Sequence, residues 1–367
     1  MKKIIELDTF SGLGGGPRVM YDVVEGLRNE FEVVIVAPKG HYYDKYKAMG
    51  LAVDEISGRF PVFQIRNAIK KENADILHVH GTKPAMITRL AVMGLRKKPK
   101  IVYTLHGLHI IRKKFPVKQL LVLLERFLNR WTDVLICVAE GDKKSALEYR
   151  LISESKVVVI MLGIDMKEFE VPAEKVRQLR AELGLEGKFI ISGIGRLHPQ
   201  KDFSTALKAV KLLTDKNSEK NKNIVFIIVG DGELRAELEA ETKSLGITEY
   251  VRFLGYRKDI PVLVNMSDLV WMSTNWEGFG LIPAEAGAAR KTTVSSNVSG
   301  PREVVVDGET GYLFTRGSYE ELAEKTQALI DSDGLRTKMG DANYEHVKNN
   351  FSMEKMIEKH RKLFNSL

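Results

Sequence analysis

Ser273-Thr274-Asn275-Trp276-Glu277-Gly278-Phe279-Gly280-Leu281-Ile282-Pro283-Ala284-Glu285-Ala286 is the stretch from which the fold of this chain is read. It follows Asp268-Leu269-Val270-Trp271-Met272, whose length and apolar character predict a short buried strand. Gly278 and Gly280 break the extended chain. Leu281 then opens a helix that tolerates Pro283 in its first turn, where a missing amide hydrogen costs nothing. A strand, a glycine turn and a helix N-terminus over the sheet edge form one unit of an α/β fold. Such a terminus offers unpaired N–H groups and a partial positive charge, which suit a phosphate. Glu277 and Glu285 bracket the turn, and neither favours a phosphate, since like charges repel. Each can instead accept hydrogen bonds from two neighbouring hydroxyls. A ligand that has phosphates for the helix end and diols for the carboxylates is a sugar nucleotide. Taken alone, the stretch also fits an ordinary strand–turn–helix with solvated glutamates.

The same alternation extends outward in both directions. Apolar runs at residues 4–7, 33–37, 75–80, 101–105, 134–138 and 156–161 read as strands. Helical patterns lie between them at 18–29, 61–72, 84–95 and 116–131. A helix from Ala173 and a strand at 188–194 restart the pattern, with strands at 224–229, 251–254, 268–272, 292–295 and 312–314. This is the signature of parallel sheets covered on both faces. The expected architecture is α/β, with two Rossmann-like doubly wound domains facing across a cleft at their carboxyl ends. The first domain spans residues 1–167 plus the helix 352–367 and is expected on the acceptor side. The second, residues 168–351, is expected to bind the donor nucleotide. Helices at 319–332, 333–350 and 352–364 close the chain, the last returning to the first domain.

The 367 residues are 28% charged and 44% hydrophobic, as in a soluble chain that buries real cores. Cys137 is the only cysteine, so no disulfide forms within the chain, which fits a reducing compartment. The opening Met1-Lys2-Lys3-Ile4-Ile5-Glu6-Leu7-Asp8 is too short in apolar residues for a signal peptide and reads as a strand. No apolar run approaches the roughly 18 residues of a membrane span. A cytoplasmic location, peripheral on the inner face of the plasma membrane, is expected. Net charge is +8, and between Ile76 and Leu124 there is no acidic residue. Lys83, Arg89, Arg96, Lys97, Lys98, Lys100, Arg112, Lys113, Lys114 and Lys118 fall in that interval and predict a basic face for anionic partners. Nucleic acid is not expected, because no recognition motif accompanies the charges.

The first strand–helix turn, Phe10-Ser11-Gly12-Leu13-Gly14-Gly15-Gly16-Pro17, lets backbone approach a diphosphate, with the helix expected to start at Pro17. A nicotinamide fingerprint fails there. Pro17 replaces the third glycine, and Val36-Ala37-Pro38-Lys39 lacks the ribose-binding acid. In the second half, Arg196 and Lys201 of Gly193-Ile194-Gly195-Arg196-Leu197-His198-Pro199-Gln200-Lys201-Asp202 follow a strand and can neutralise a departing diphosphate. Val229-Gly230-Asp231-Gly232 ends the next strand in a tight turn that reads as mainly structural, with Gly230 expected to let backbone reach the ligand. His78 and His80 share a strand face, and His106 and His109 follow the next strand. With no carboxylate or thiol companion evident, hydrogen bonding in the cleft is expected of them rather than metal binding. Asp331-Ser332-Asp333 has the spacing of a metal–diphosphate motif but joins two helices and reads as a cap.

Taken together these pieces resemble the retaining glycosyltransferases of family 4 (glycosyl transferases group 1), which have the GT-B fold. Glu277 and Glu285 match that family's Glu-x7-Glu signature. The Gly14-Gly15-Gly16 loop, Gly195-Arg196 with Lys201, Gly230, Phe253-Leu254-Gly255 and Gly300 to Gly311 match as well. The resemblance implies that Arg196 and Lys201 hold the donor diphosphate beside Gly15 and Gly16, and that Glu285 takes the ribose. It implies Gly230, Gly278, Phe279, Gly280 and Leu281 in the donor site, Glu277 at the hydroxyls of the transferred sugar, and His106 in contact with that sugar. No metal and no cofactor are implied, only a nucleotide-diphosphate sugar of UDP or GDP type. The family's usual Asn-Gly-Val-Asp is replaced by Leu162-Gly163-Ile164-Asp165, and Asp202 follows Lys201 where glycine is common.

Apolar residues Val117, Leu120, Leu121, Leu124, Phe127, Leu128 and Trp131 form a broad stripe, widened by Val122 and Leu123, most of which is expected in the core. Arg112, Lys113 and Lys114 with Phe115 are expected to rest on an anionic membrane surface. The chain thus reads as a hexosyltransferase acting on a glycan or lipid-linked acceptor in surface polysaccharide assembly. A sugar-nucleotide epimerase of similar architecture and a non-catalytic sugar-nucleotide-binding subunit stay open.

Overall fold

The computed structural model describes residues 1–216 and 218–367; the side chain of His109 lies outside the described residues. The chain forms two compact units. One is Met1–Leu162 with Met353–Leu367, the other Gly163–Ser352.

The first unit is built on seven strands: β1 Lys3–Leu7, β2 Glu32–Ala37, β3 Ala52–Glu55, β4 Ile76–His80, β5 Lys100–Leu105, β6 Val134–Cys137 and β7 Val157–Val159. They lie in the order β3-β2-β1-β4-β5-β6-β7, all neighbours parallel. Strands β4, β5 and β6 are buried almost throughout, because helices cover both faces and leave no wet side. Strand order reverses between β1 and β4, so the loops after these two diverge and leave a crevice. Helix α1, Gly15–Leu27, follows β1. It starts two residues before Pro17, which therefore occupies its third position. Proline is accommodated there as well, since that N–H also lacks an intrahelical acceptor. Helix α2, His41–Ala48, and the edge strand β3 are two elements that the apolar pattern does not reveal. Helix α3 spans Val62–Glu72 and α4 Thr82–Val92.

Helix α5, Val117–Leu128, corrects the expected core stripe. Val122 and Leu128 are buried, but Leu120 is 67% exposed and Leu123 59%, and Val117, Phe127 and Phe115 are exposed too. What α5 buries on its inner face is a charge, Glu125. It meets Arg89 of α4 through both carboxylate oxygens, at 2.9 and 3.0 Å. Arg89 therefore drops out of the expected basic face: it is fully buried, with Asn129 Oδ1 and the Ala85 carbonyl accepting its remaining bonds.

The C-terminal helix, Met353–Ser366, belongs to the first unit and packs on α1. Phe364 sits edge-on to Phe31 and His78, and Lys2 Nζ donates to the Phe364 and Asn365 carbonyls.

The second unit carries β8 Phe189–Ile194, β9 Ile224–Val229, β10 Val251–Gly255, β11 Leu269–Met272, β12 Thr293–Ser296 and β13 Gly311–Phe314, in the order β10-β9-β8-β11-β12-β13. Its core gathers Phe226, Trp271 and Phe314, with the indole of Trp271 donating to Thr326 Oγ1 at 2.9 Å. Here the reversal falls between β8 and β11, which pair directly. The two turns singled out in the sequence follow these strands and so meet at one sheet edge.

Candidate active site

In the second unit the turn after β8 and the turn after β11 are laced together. The Gln200 carbonyl accepts from Asn275 N at 2.7 Å and Thr274 Oγ1 at 2.9 Å, and Ser273 Oγ donates to the Lys201 carbonyl at 3.0 Å. The Gln200 amide in return donates to the Trp276 carbonyl and to Glu277. Lys201 Nζ is 2.5 Å from Glu277 Oε2, with both side chains about four-fifths buried. Arg196 lies exposed in the same turn and makes no hydrogen bond or ion pair among the described residues. A fixed carboxylate that can accept hydroxyls, a partly shielded ammonium and an unengaged guanidinium thus occupy one edge. This array suits an anion joined to a polyol.

The glycines divide into two kinds. Gly230 has φ +134°, and a Cβ on it would lie 2.0 Å from the Gly195 carbonyl oxygen. Its lack of a side chain is thus demanded by the neighbouring turn of the protein itself, as the mainly structural reading of this turn expects. Gly300 admits the Phe279 carbonyl in the same way, with a Cβ at 2.4 Å. The Phe279 ring is buried and edge-on to Phe351, so only its backbone can meet a ligand. Gly278 and Gly280 are buried, Leu281 is half-buried, and the helix Leu281–Ala288 carries half-buried Glu285 near its start.

In the first unit the loops after β1, β4 and β5 enclose a cavity of about 520 Å³ whose lining includes Asp8, Gly16, His80, Lys83 and His106. Gly15 and Gly16 open α1 at its rim, and a Cβ on Gly16 would touch the His106 ring at 3.6 Å. Asp8 was not singled out by the sequence. Its carboxyl is buried, which pushes its pKa up to about 7 against the opposing pull of the Phe10 and Thr9 amides. A carboxyl poised there can accept or donate a hydrogen bond to a hydroxyl.

His78 and His80 do have a carboxylate companion, contrary to expectation. Glu6 on β1 stands opposite His78 on β4 in register, and Glu6, His78 and His80 are all fully buried. Their ligating atoms lie close enough together to hold a metal ion. The ring nitrogens are nevertheless already committed. His78 meets Glu6 at 3.0 Å and Thr104 Oγ1 at 2.7 Å, while His80 meets Glu6 at 3.0 Å and His106 Nε2 at 3.4 Å. A hydrogen-bonded network fits this donor set without a metal. His78 thus supports the sheet from within, and among these histidines His80 and His106 reach the cavity.

A parallel-sheet unit with a histidine-lined crevice is followed by another with the Lys201–Glu277 edge, and both units have counterparts among the glycosyltransferases. Residues 13–168 match the family model described as Glycosyltransferase Family 4, and residues 175–346 match Glycosyl transferases group 1. The chain belongs to this family, and its fold is GT-B. It is 29% identical over 299 residues to the UDP-Gal:alpha-D-GlcNAc-diphosphoundecaprenol alpha-1,3-galactosyltransferase of Escherichia coli, covering 81% of this chain and 76% of that one. It is 25% identical over 302 residues to the capsular polysaccharide biosynthesis glycosyltransferase CapM of Staphylococcus aureus, covering 81% and 78%. Among solved structures, Anabaena Alr3699/HepE in complex with UDP-glucose superposes with a TM-score of 0.88 over all of both chains at 21% identity.

Proposed function

We propose that this chain moves a hexose from a UDP- or GDP-type sugar to a glycan or lipid-linked acceptor in the assembly of a cell-surface polysaccharide, retaining the anomeric configuration and using no metal ion. The observation that carries the reading is the Gln200–Lys201–Glu277 cluster, which holds a diol-accepting carboxylate and a diphosphate-neutralising cation within one hydrogen-bonded frame. The names of the similar proteins, a diphosphoundecaprenol-sugar galactosyltransferase and a capsule enzyme, point the same way.

In this reading the unit Gly163–Ser352 binds the donor. Arg196 and Lys201 take the diphosphate, Glu285 the ribose and Glu277 the sugar hydroxyls. As the bond from the anomeric carbon to the phosphate oxygen breaks, Arg196 and Lys201 stabilise the growing charge. The acceptor oxygen attacks from the same face, and its proton passes to the departing phosphate. His106 supports the sugar, and the first unit's cavity receives the acceptor hydroxyl beside Asp8. The test is transfer from a panel of nucleotide sugars to undecaprenyl-diphosphate-linked saccharides, with anomeric configuration read by NMR and EDTA present in one arm. Retained configuration with EDTA-insensitive turnover supports the reading. Inversion, loss of activity in EDTA, or an epimerised free sugar nucleotide sinks it. Binding of a nucleotide sugar with transfer to no acceptor would instead mark a binding subunit.

The exposed apolar face of α5 favours a peripheral site of action on the membrane. No helix among the described residues is long and apolar enough to cross a bilayer. Phe115, Leu120, Leu123 and Phe127 are exposed, and Arg112, Lys113 and Lys114 lie exposed at the start of this face, an arrangement suited to anionic headgroups. The protein should sediment with phosphatidylglycerol vesicles, less so in high salt, and Leu120→Glu should weaken this. Equal binding to neutral vesicles would refute it.

A further inference from the structure

The chain Glu6–His80–His106 runs from the fully buried middle of the first unit to the wall of its cavity. Glu6 sits on β1 and is 1% exposed, His80 ends β4 at 1%, and His106 follows β5, half-buried at the cavity. Both Glu6 oxygens face imidazole nitrogens, Oε1 toward His78 Nδ1 and Oε2 toward His80 Nε2. The His80 and His106 rings are nearly parallel, 18° apart, with His80 Nδ1 facing His106 Nε2. On the far side, the C-terminal helix packs His360 and Phe364 against His78, sealing the network from water.

We infer that Glu6 and His80 are positioning residues that set the orientation and tautomer of His106. The inference rests on the reading of His106 as the sugar-contacting histidine. Its logic follows from donors and acceptors. An ionised Glu6 is acceptor-only, so His78 must present Nδ1–H to it and His80 must present Nε2–H. A neutral His80 protonated at Nε2 has a lone pair at Nδ1. The facing His106 nitrogen must then be the donor, which places the proton of neutral His106 on Nε2. A buried carboxylate commonly fixes a working histidine by accepting its second ring N–H; here Glu6 acts one imidazole removed, through His80. None of this requires Glu6 or His80 to touch the substrate, and Glu6 cannot do so.

Two measurements test it. In protein labelled with ring-15N histidine, the His106 signals, assigned by their loss in His106→Ala, should show the proton on Nε2 in the ligand-free enzyme. In Glu6→Gln that preference should weaken or invert, since a side-chain amide can donate as well as accept. In steady-state transfer, Glu6→Gln should lower kcat about tenfold or more with donor KM changed less than about threefold. In the His106→Ala background the same substitution should change kcat less than twofold, because an effect that passes through His106 vanishes with it. A His106 proton on Nδ1 in the unaltered protein overturns the inference, as does a Glu6→Gln loss of equal size in both backgrounds. If Glu6→Gln does not fold, His80→Gln takes its place in both measurements with the same expected outcomes. The NMR result needs no substrate. The expected tautomer in a protein inactive with every donor would sink the transferase reading alone, and the wrong tautomer in an active enzyme would sink this inference alone.

Discussion

Replacing Arg89 by leucine leaves the Glu125 carboxylate buried without its cation, and the structure sets a ceiling on the cost. Glu125 is 5% exposed, and burial already pushes its pKa up while the Arg89 guanidinium beside it pulls the other way. A stranded carboxyl can escape by taking a proton. From an unfolded value of 4.5, holding it neutral at pH 7 costs at most about 3.4 kcal/mol, at about 1.36 kcal/mol per pH unit. At pH 5 the same escape costs about 0.7 kcal/mol. Glu125→Leu leaves a guanidinium that cannot lose its proton, with only the Asn129 and Ala85 oxygens as acceptors. Its cost, roughly 3 to 5 kcal/mol for a broken buried pair, should hardly change with pH. Arg89→Leu should therefore lose most of its electrostatic penalty between pH 7 and pH 5, and Glu125→Leu should not. The double variant should recover much of either loss, since apolar pairs often replace buried ion pairs at little cost. Urea unfolding of the four proteins at both pH values measures this. Parallel pH dependence of the two single variants would refute the reasoning, because it would mean that neither charge is truly shut away from water.

Other outcomes follow from the same structure. Lys201→Ala should weaken binding of the nucleotide diphosphate about tenfold to a hundredfold in calorimetry, the worth of a charge-assisted hydrogen bond of ~1.5–3 kcal/mol; unchanged affinity would remove Lys201 from the site. Gly230→Ala should cost at least ~2 kcal/mol in the second unit, because its φ is left-handed and its Cβ would meet the Gly195 oxygen at 2.0 Å; a wild-type melting temperature would show that the two turns can part freely. Acid should drain the stability that three buried histidines lend the first unit. His78, His80 and His360 are held by burial at about 3 against an ordinary 6.5, so the stability they contribute is complete above 6.5 and drains away as pH falls toward 3. Asp8, raised to about 7, and Glu6 and Glu125, also raised by burial, work in the opposite sense. Relative to the unaltered protein, His360→Leu should therefore gain about 1 to 2 kcal/mol between pH 7 and pH 5 in urea titrations, the share of one buried histidine; identical pH profiles would contradict it.

Much of the fold could be read from the chain because parallel strands buried on both faces are continuous apolar runs. Phe189–Ile194 and Ile224–Val229 show this plainly. What escaped did so for physical reasons. Ala52–Glu55 is a half-polar edge strand, and the helix His41–Ala48 hides its buried face in three tyrosines, Tyr42, Tyr43 and Tyr46, rather than in aliphatic residues. In α5 a leucine period of 3.6 announces an apolar face but cannot say what covers it. Leu120 and Leu123 proved exposed, while the acid between them and the next turn went inside. Glu6 was invisible as a partner of His78 because 72 residues separate them and only the β1–β4 register joins them. No local pattern marks Gln200, and its role in binding the two turns appears only once β8 and β11 are known to be neighbours. The Glu277–Glu285 spacing, in contrast, is a local signal within one turn and one helix, and the chain displays it without help from tertiary structure.

The interrupted make-up of the first unit bears on how a ribosome would deliver it. Gly163–Ser352 is an unbroken length of polypeptide that can finish its core as soon as it emerges, whereas Met1–Leu162 must wait through the synthesis of that whole insert before Met353–Leu367 arrives. Until then Phe31 and His78 lack the cover that Phe364 supplies. The earliest-made half is thereby the last to mature, and a premature stop just short of Met353 would yield a finished second unit tethered to a nascent first one with an open seam.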